Sequence, residues 1–267
     1  MVRHSKKLFV VAVSTIVLLV ATRPVNALGT IHLSWADYVE LAAWDAAHMA
    51  FVAEGRIGDR GGAATFEIDV GYTTGSPAVT AQYAWVSGTA ESFTLSFNAA
   101  TKLVTWTIGA TSVSFTYSES GHIPISTLNA IIVRARSDAT GQSMLVTDLV
   151  LNGQPVGDQV SAVGAYPGTN APANTPNDGL DLLYIGNVAF ISGGFTLTGT
   201  ATMTWGATVP TQSRLAFQIK VGDPTGLPPI AVGGVIILTN PVIVLMPYLT
   251  IFGLVAAAGY AAIRKRR

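Results

Sequence analysis

Residues 93–117 read FTLSFNAATKLVTWTIGATSVSFTY, and three runs of alternating apolar and hydroxyl-bearing side chains follow one another within them. Side chains in a strand point alternately to its two faces, so each run predicts a strand with one apolar face and one hydroxyl-rich face. The links at 98–101 and 109–110 are short enough for hairpins. The stretch therefore predicts a three-stranded antiparallel meander.

Short apolar runs bounded by turn residues continue on both sides of this meander. They predict further strands at 64–71, 79–86, 129–135, 143–151, 182–191, 194–205 and 213–221. Many short strands with glycine-rich turns are typical of two packed sheets. The expected fold class is all-β, an antiparallel two-layer β-sandwich of jelly-roll-like type.

One helix is expected before the strands. Ser34, followed by Asp37, resembles an N-cap with an acidic first turn, and apolar residues then recur at helical spacing. The pattern predicts a helix over 34–46, with Gly55 as a stop if the helix continues. The segment up to residue 54 is also compatible with a strand.

The first 27 residues have the composition of an export signal. A basic start is followed by an apolar run over 8–21 and by the small-residue pattern Val25-Asn26-Ala27, which predicts cleavage after Ala27. The apolar run is shorter than the roughly 20 residues that a spanning helix needs. An uncleaved N-terminal anchor is the alternative.

The other end of the chain is typical of a membrane anchor. Residues 243–263 carry no charge and are followed directly by four basic residues at 264–267. A helix of this length covers about 30 Å, the thickness of a bilayer core. Basic residues remain on the cytoplasmic side, so we expect a transmembrane helix with the body, residues 28–222, outside and a linker or stalk over 223–242.

Composition excludes several function classes. The chain has no cysteine, which rules out disulfides, thiolate metal sites and cysteine nucleophiles. Residues 37–223 contain 15 acidic and 7 basic residues, a net charge of −8. Such a body is a poor binder of nucleic acid, since phosphate affinity depends on clustered Lys and Arg. No phosphate loop, dinucleotide motif or HExxH occurs, so we expect no cofactor.

Two groups of acidic residues are candidates for chemistry. Glu67 and Asp69 stand two apart on a predicted strand, where a shared face would suit a pair of hydrolytic carboxylates or an ordinary solvent-facing strand. Asn177, Asp178 and Asp181 end a polar loop that begins near residue 167, and their oxygens are weak candidate ligands for calcium. A simple turn before the strand near 182 is the favoured alternative.

Histidine and tryptophan offer few further candidates. Outside the signal there are His32, His48 and His122, and no serine stands in a G-x-S-x-G elbow, so no catalytic residue is predicted. Trp85, Trp106 and Trp205 lie in apolar alternations, which favours core packing over stacking on sugars.

Several strand and turn segments carry a family resemblance. They are EGRIG at 54–58, YAWVSGT at 83–89, FTLSFNAAT at 93–101, FTLTGT at 195–200 and LAFQIKVG at 215–222. Together they resemble the prokaryotic choice-of-anchor surface domains, of W-like type, over about residues 50–222. The resemblance implies an exported β-rich domain and carries no catalytic residue. The tail at 252–267 resembles sorting tails that transpeptidases process, although no Pro-Glu-Pro or LPxTG motif precedes it.

Three functions follow from these observations. The leading expectation is a non-enzymatic, membrane-anchored surface or envelope protein with a structural, adhesive or matrix role, in contact with surface polysaccharide or other envelope proteins. The alternatives are a carbohydrate- or calcium-binding module and, behind it, a glycoside hydrolase that uses Glu67 or Asp69. A cleft lined by tryptophans and carboxylates would favour the alternatives, and a hydroxyl-rich face without a cleft would favour the first.

Overall fold

The computed structural model describes residues 28–33, 35–58, 66–72, 78–165, 179–186 and 188–230. The predicted signal peptide, transmembrane helix and basic tail lie outside these residues, as do the predicted N-cap Ser34 and the loop residues Asn177 and Asp178. Within the described ranges, no helix is both long enough and apolar enough to cross a bilayer.

The described chain contains one α-helix and fourteen strands. The helix α1 spans Trp35–Ala47. The strands are β1 Gly29–His32, β2 Met49–Ile57, β3 Phe66–Gly71, β4 Val79–Gln82, β5 Ala90–Asn98, β6 Leu103–Ile108, β7 Thr111–Thr116, β8 Ala130–Ser137, β9 Ser143–Leu151, β10 Gln154–Pro155, β11 Val160–Val163, β12 Leu180–Gly186, β13 Phe195–Thr204 and β14 Leu215–Gly222. Short 3-10 helices occupy Ile125–Thr127 and Ala189–Gly193.

These strands form two antiparallel sheets. The first sheet has the order β1-β12-β8-β14-β2-β3-β4, and the second has β10-β9-β13-β5-β6-β7, with β11 also paired to β9. The meander predicted from residues 93–117 is confirmed as β5, β6 and β7. The all-β, two-sheet architecture is confirmed as well.

Aromatic rings fill the space between the two sheets. Trp106 and Phe93 from the second sheet meet Phe217 from the first, with ring centroids 5.4 to 5.7 Å apart. Gly55 in β2 faces the same rings, and a Cβ there would lie only 2.5 Å from the Phe217 ring. The glycine that the sequence pattern suggested as a helix stop therefore gives the Phe217 ring room in mid-strand.

A smaller apolar core lies on the outer face of the first sheet. The helix α1 places Leu41 and Trp44 there, against Ile132 and Tyr184 of β8 and β12. Leu227 and Ile230 pack on the same core. The first part of the predicted linker is therefore folded onto the body.

The helix predicted over 34–46 agrees with α1 to within one residue, and residues 49–57 form β2, which is the strand alternative for the segment up to residue 54. Other predicted boundaries were wrong. The strand predicted over 182–191 is β12 and ends at Gly186, before the 3-10 helix. β1 and the short strands β10 and β11 were not predicted, and β11 lies in the mostly polar stretch that precedes the predicted loop.

Candidate functional site

A cluster of polar side chains lies on the outer face of the first sheet, beside the small apolar core. Alternation along the strands places these residues outward, and the strand register brings them into rows. Asp69, Glu54, Gln218 and Arg134 lie directly opposite one another across β3, β2, β14 and β8. We call Glu54, Arg56, Glu67, Asp69, Arg134 and Gln218 the charge cluster. All six are buried, with at most 9% of the residue surface exposed.

Arg56 is the hub of the charge cluster. Its guanidinium contacts the Glu67 carboxylate, lies 3.0 Å from Asp69 Oδ2, and donates to Glu54 Oε2 at 3.2 Å. Glu54 Oε1 also accepts a hydrogen bond from Gln218 Nε2 at 3.0 Å, and Gln218 Oε1 accepts one from Arg134 Nη1 at 3.2 Å. One arginine thus contacts three carboxyl groups, and the Gln218 amide links Glu54 to a second arginine.

The electrostatics of the charge cluster favour a proton on Asp69. Burial of the carboxyl group and, after it, the negative charge of Glu54 raise the pKa of Asp69, Arg56 lowers it, and the net result is a pKa of about 8. With Asp69 neutral at pH 7, the two remaining carboxylates balance Arg56 and Arg134. The network is therefore close to neutral, which is the least costly state for buried charges.

The sequence had selected Glu67 and Asp69 as possible hydrolytic carboxylates. The two side chains do share a face, but Asp69 has no exposed surface and Glu67 only 6%, and both contact Arg56. A general acid must reach the leaving group of its substrate. Their arrangement is that of ion-pair partners for a buried arginine.

A cavity of about 110 Å³ opens beside the charge cluster. Its lining residues are Glu54, Arg56, Arg134, Arg136, Gln212, Ser213, Ala216 and Gln218. Gln212 and Ser213 at its lip both adopt the left-handed backbone, with φ of 60° and 56°. Non-glycine residues in this region carry strain that is common at functional sites. No local sequence pattern predicts the cavity, because its walls come from strands far apart in the chain.

A histidine between two aspartates forms a second polar site at the opposite edge of the first sheet. His32 Nδ1 lies 2.7 Å from Asp181 Oδ1, and Nε2 lies 3.3 Å from Asp158 Oδ1. Asp181 Oδ2 accepts the backbone N–H of Ser161 at 2.8 Å. The hydrogen bond to Asp181 is the main cause that raises the pKa of His32, to about 9. Asp181, a candidate calcium ligand, is thus engaged by His32 and Ser161, and no group of three metal-ligating side chains was found within the described ranges.

We expect this histidine to make stability depend on pH. The folded-state pKa of His32 is raised from 6.5 to about 9, so its contribution is complete below about pH 6 and is lost as the pH rises through 9. His32→Asn should therefore cost stability at pH 6 and nothing above pH 10. Because the side chain is 38% exposed, the cost should be at most about 1 kcal/mol. Urea unfolding at several pH values measures it, and a pH-independent difference would contradict the assignment.

The outer face of the second sheet carries hydroxyl groups, in contrast to the charged side chains on the first sheet. Every outward side chain of β13 and β7 bears a hydroxyl, and β5 and β6 add most of the remainder. We call this surface the hydroxyl face; it comprises Ser92, Thr94, Ser96, Thr105, Thr107, Ser112, Ser114, Thr116, Thr196, Thr198, Thr200, Thr202 and Thr204. The register aligns them in rows such as Ser114-Thr105-Ser96-Thr196. No outward side chain described on these four strands is charged.

The predicted tryptophan positions agree with core packing. Trp106 is fully buried, Trp85 is 4% exposed, and Trp205 packs partly buried against the main core. Trp106 Nε1 donates to the Glu54 carbonyl at 3.0 Å. These three rings are therefore used for packing, and none forms an exposed platform for a sugar.

Comparison with known proteins adds no assignment. No family model matches the chain, and no curated protein shows significant similarity to it.

Proposed function

We propose that this is an exported, membrane-anchored surface or envelope protein whose β-sandwich has a structural, adhesive or matrix role outside the membrane. The hydroxyl face is the observation that carries the proposal. It is a broad, uncharged surface on one side of the sandwich, whose hydroxyls both donate and accept hydrogen bonds. Such a surface suits extended contact with neutral polymers or neighbouring proteins, and the resemblance to choice-of-anchor surface domains supports the same role.

The two ends of the described body lie close together, and this proximity supports anchoring of the body from one side. Gly29 in β1 pairs with Gly186, and Ile230, the last residue described, has its side chain against the same glycine. The predicted signal cleavage after Ala27 leaves Leu28 as the N-terminal residue, directly before β1. The chain therefore enters and leaves the body at one place, which suits a body carried on a single C-terminal helix.

A binding module is the second candidate function, and the cavity beside the charge cluster favours it. The cavity is lined by three guanidinium groups, one carboxylate and two amides, and polar groups of this kind recognise polar ligands such as carbohydrates. Binding and anchoring are compatible, since a surface protein can hold a polysaccharide through such a site. A hydrolase lacks comparable support among the described residues.

Deleting residues 243–267 should release the folded body into the medium. The body has its own core, and Leu227 and Ile230, which pack on it, are retained in this variant. Fractionation of cells expressing the full chain and the truncated chain measures the effect. Removing only 264–267 is the matched control, and this variant should stay in the membrane because the apolar segment remains. A truncated protein that stays in the membrane after signal cleavage would exclude the C-terminal anchor.

A further inference from the structure

The strand β7 lies at the edge of the second sheet. It pairs with β6 over Thr111–Thr116, and no strand of the described chain pairs with its other side. With six residues it is the longest edge strand in the described structure, since β1, β4, β10 and β11 have two to four residues each. An edge strand presents a row of backbone groups to which a further strand can pair.

The backbone groups of alternate residues in β7 point away from β6. Tyr117, one residue past β7, donates its N–H to the Lys102 carbonyl at 2.8 Å. In an antiparallel pair, residues that exchange hydrogen bonds alternate with residues that do not. Counting back from Tyr117, the odd-numbered residues of β7 therefore bond to β6, and the even-numbered residues direct their N–H and C=O groups outward. The outward residues are Ser112, Ser114 and Thr116.

The described edge has none of the features that keep exposed strands apart. Natural proteins protect such edges with lysine, proline or β-bulges. β7 reads TSVSFT and its register with β6 is continuous, while β4, the edge strand of the first sheet that lies against it, reads VTAQ. Lys102 and Glu119, just outside β6 and β7, pair with each other at 2.7 Å. No charge on either edge strand opposes the approach of a second copy.

The edge of β7 is complementary to itself. If two copies meet antiparallel about a two-fold axis at Ser114, Ser114 faces its own copy and Ser112 faces Thr116, so that every outward residue exchanges hydrogen bonds with an outward residue. On the inner face, Val113 of one copy lies beside Phe115 of the other. These side chains are still 6% and 8% exposed, and apolar cross-strand pairs stabilise a sheet.

We propose that two copies of this protein associate through the outward edges of β7, so that their second sheets form one continuous antiparallel sheet. The inference rests on the proposed function, because it names a second copy as a neighbouring protein that the body contacts. The hydroxyl faces of the two copies join into one uncharged surface of about twice the width. Pairing also covers the edge that would otherwise recruit unrelated strands.

Disulfide cross-linking of the full-length protein in detergent tests the register of this contact. The chain has no cysteine, so an introduced thiol is unique. Residues that exchange hydrogen bonds across an antiparallel pair have Cα atoms about 5.5 Å apart, which is within the reach of a disulfide. Ser114→Cys should therefore give a cross-linked dimer under a mild oxidant.

Ser112→Cys is the matched control for cross-linking. Ser112 is exposed on the same face of the same strand, but in the proposed register it lies four residues, roughly 13 Å, from its own copy. Ser112→Cys alone should therefore remain uncross-linked. Co-expression with Thr116→Cys should restore the cross-link, because residues 112 and 116 face each other across the axis.

Sedimentation equilibrium of the full-length protein in detergent measures the association itself. Ser114→Pro removes an outward N–H and leaves the bonds to β6 in place, since an edge strand tolerates proline where its N–H faces solvent. Ser114→Ala keeps the N–H and is the matched control. Wild type and Ser114→Ala should be dimers, and Ser114→Pro should weaken the association at least about tenfold. Ser114→Lys, which sets two like charges beside each other across the axis, should weaken it similarly.

Thermal unfolding shows which variants are folded, and Ser114→Lys carries the test if Ser114→Pro does not fold. A wild type that is monomeric at every concentration, or a folded Ser114→Pro or Ser114→Lys variant that associates as tightly as wild type, would overturn the proposal. Equal cross-linking by Ser112→Cys and Ser114→Cys on their own would overturn it too. Fractionation tests the anchored-surface function independently, since loss of pairing should leave the protein in the membrane.

Discussion

Trp106→Ala should lower the free energy of unfolding by about 3–5 kcal/mol, the range for truncation of a large buried aromatic side chain. The ring has no exposed surface and lies between Phe93 and Phe217, at the contact of the two sheets. Its removal also leaves the carbonyl of Glu54 without the indole donor. The substitution therefore combines a cavity with a lost buried hydrogen bond.

Urea unfolding, followed by circular dichroism, measures this effect. Trp205→Ala is the matched control, because Trp205 is only partly buried and its loss should cost clearly less. Trp106→Phe keeps an aromatic ring in the core and removes the indole donor, so its cost should fall between wild type and Trp106→Ala. If the urea midpoint of unfolding barely changes in Trp106→Ala, this ring lies outside the core, and stacking on a sugar becomes the better account of its role.

The alternation of apolar and polar side chains was enough to predict those strands that have one face in solvent. Trp106, Val104 and Ile108 point inward while Thr105 and Thr107 point outward, and the same rule located β5, β7 and β13. The hydroxyl-rich face was therefore predicted for the three strands of the meander, β5, β6 and β7, while β13 was predicted only as a strand. Its assembly into rows depended on the register between strands, which only the structure gives.

The first sheet was harder to predict, because its central strands are buried on both faces. β2 is buried at every position, and its first five residues, at 49–53, are apolar or small without a period of two. Part of β2 was consequently compatible with helix. The pairing of β2 with β14 joins residues more than 150 positions apart, a distance that no local pattern encodes.

Only part of the charge cluster could be predicted from the sequence. Glu67 and Asp69 were selected because they stand two apart, but their partner Arg56 lies on another strand. A usable signal was present, since β2 and β8 carry charged side chains at alternate positions within otherwise apolar runs. Charges with strand periodicity inside buried strands indicate a shared polar face, although the sequence leaves open which of them pair.

Arg56→Met should destabilise the protein by about 3–5 kcal/mol at pH 8, the usual cost of removing one partner of a buried ion pair. Methionine preserves much of the volume, so the effect reports mainly on charge. Without Arg56, the carboxylates of Glu54, Glu67 and Asp69 lose their shared cation in a site that is almost fully buried. Arg214→Gln is the control, because this exposed arginine should cost no more than about 0.5 kcal/mol.

The cost of Arg56→Met should also depend on pH. A carboxyl group whose pKa is raised on folding, as that of Asp69 is to about 8, binds its proton more tightly in the folded state, so stability falls as the pH rises from about 4 to 8. Loss of Arg56 raises the folded-state pKa of Asp69 further, since the arginine lowers it in the wild type. The difference between variant and wild type should therefore be smaller at pH 5 than at pH 8.5. Comparing both proteins at each pH removes the contribution of His32.

Replacing two of the carboxylates by amides should restore much of the stability that Arg56→Met removes. In the Arg56→Met background, Glu67→Gln and Asp69→Asn together leave Glu54 as the one acidic member of the charge cluster, opposite Arg134 and Gln218. The triple variant should regain at least half of the lost stability at pH 8.5 and should lose the part of the pH dependence that comes from Asp69, because an amide does not titrate. Urea unfolding at pH 5 and 8.5 decides the result. If Arg56→Met alone is as stable as wild type at both pH values, or if the amides restore nothing, the three carboxylates do not depend on Arg56 and the charge cluster has been wrongly assigned.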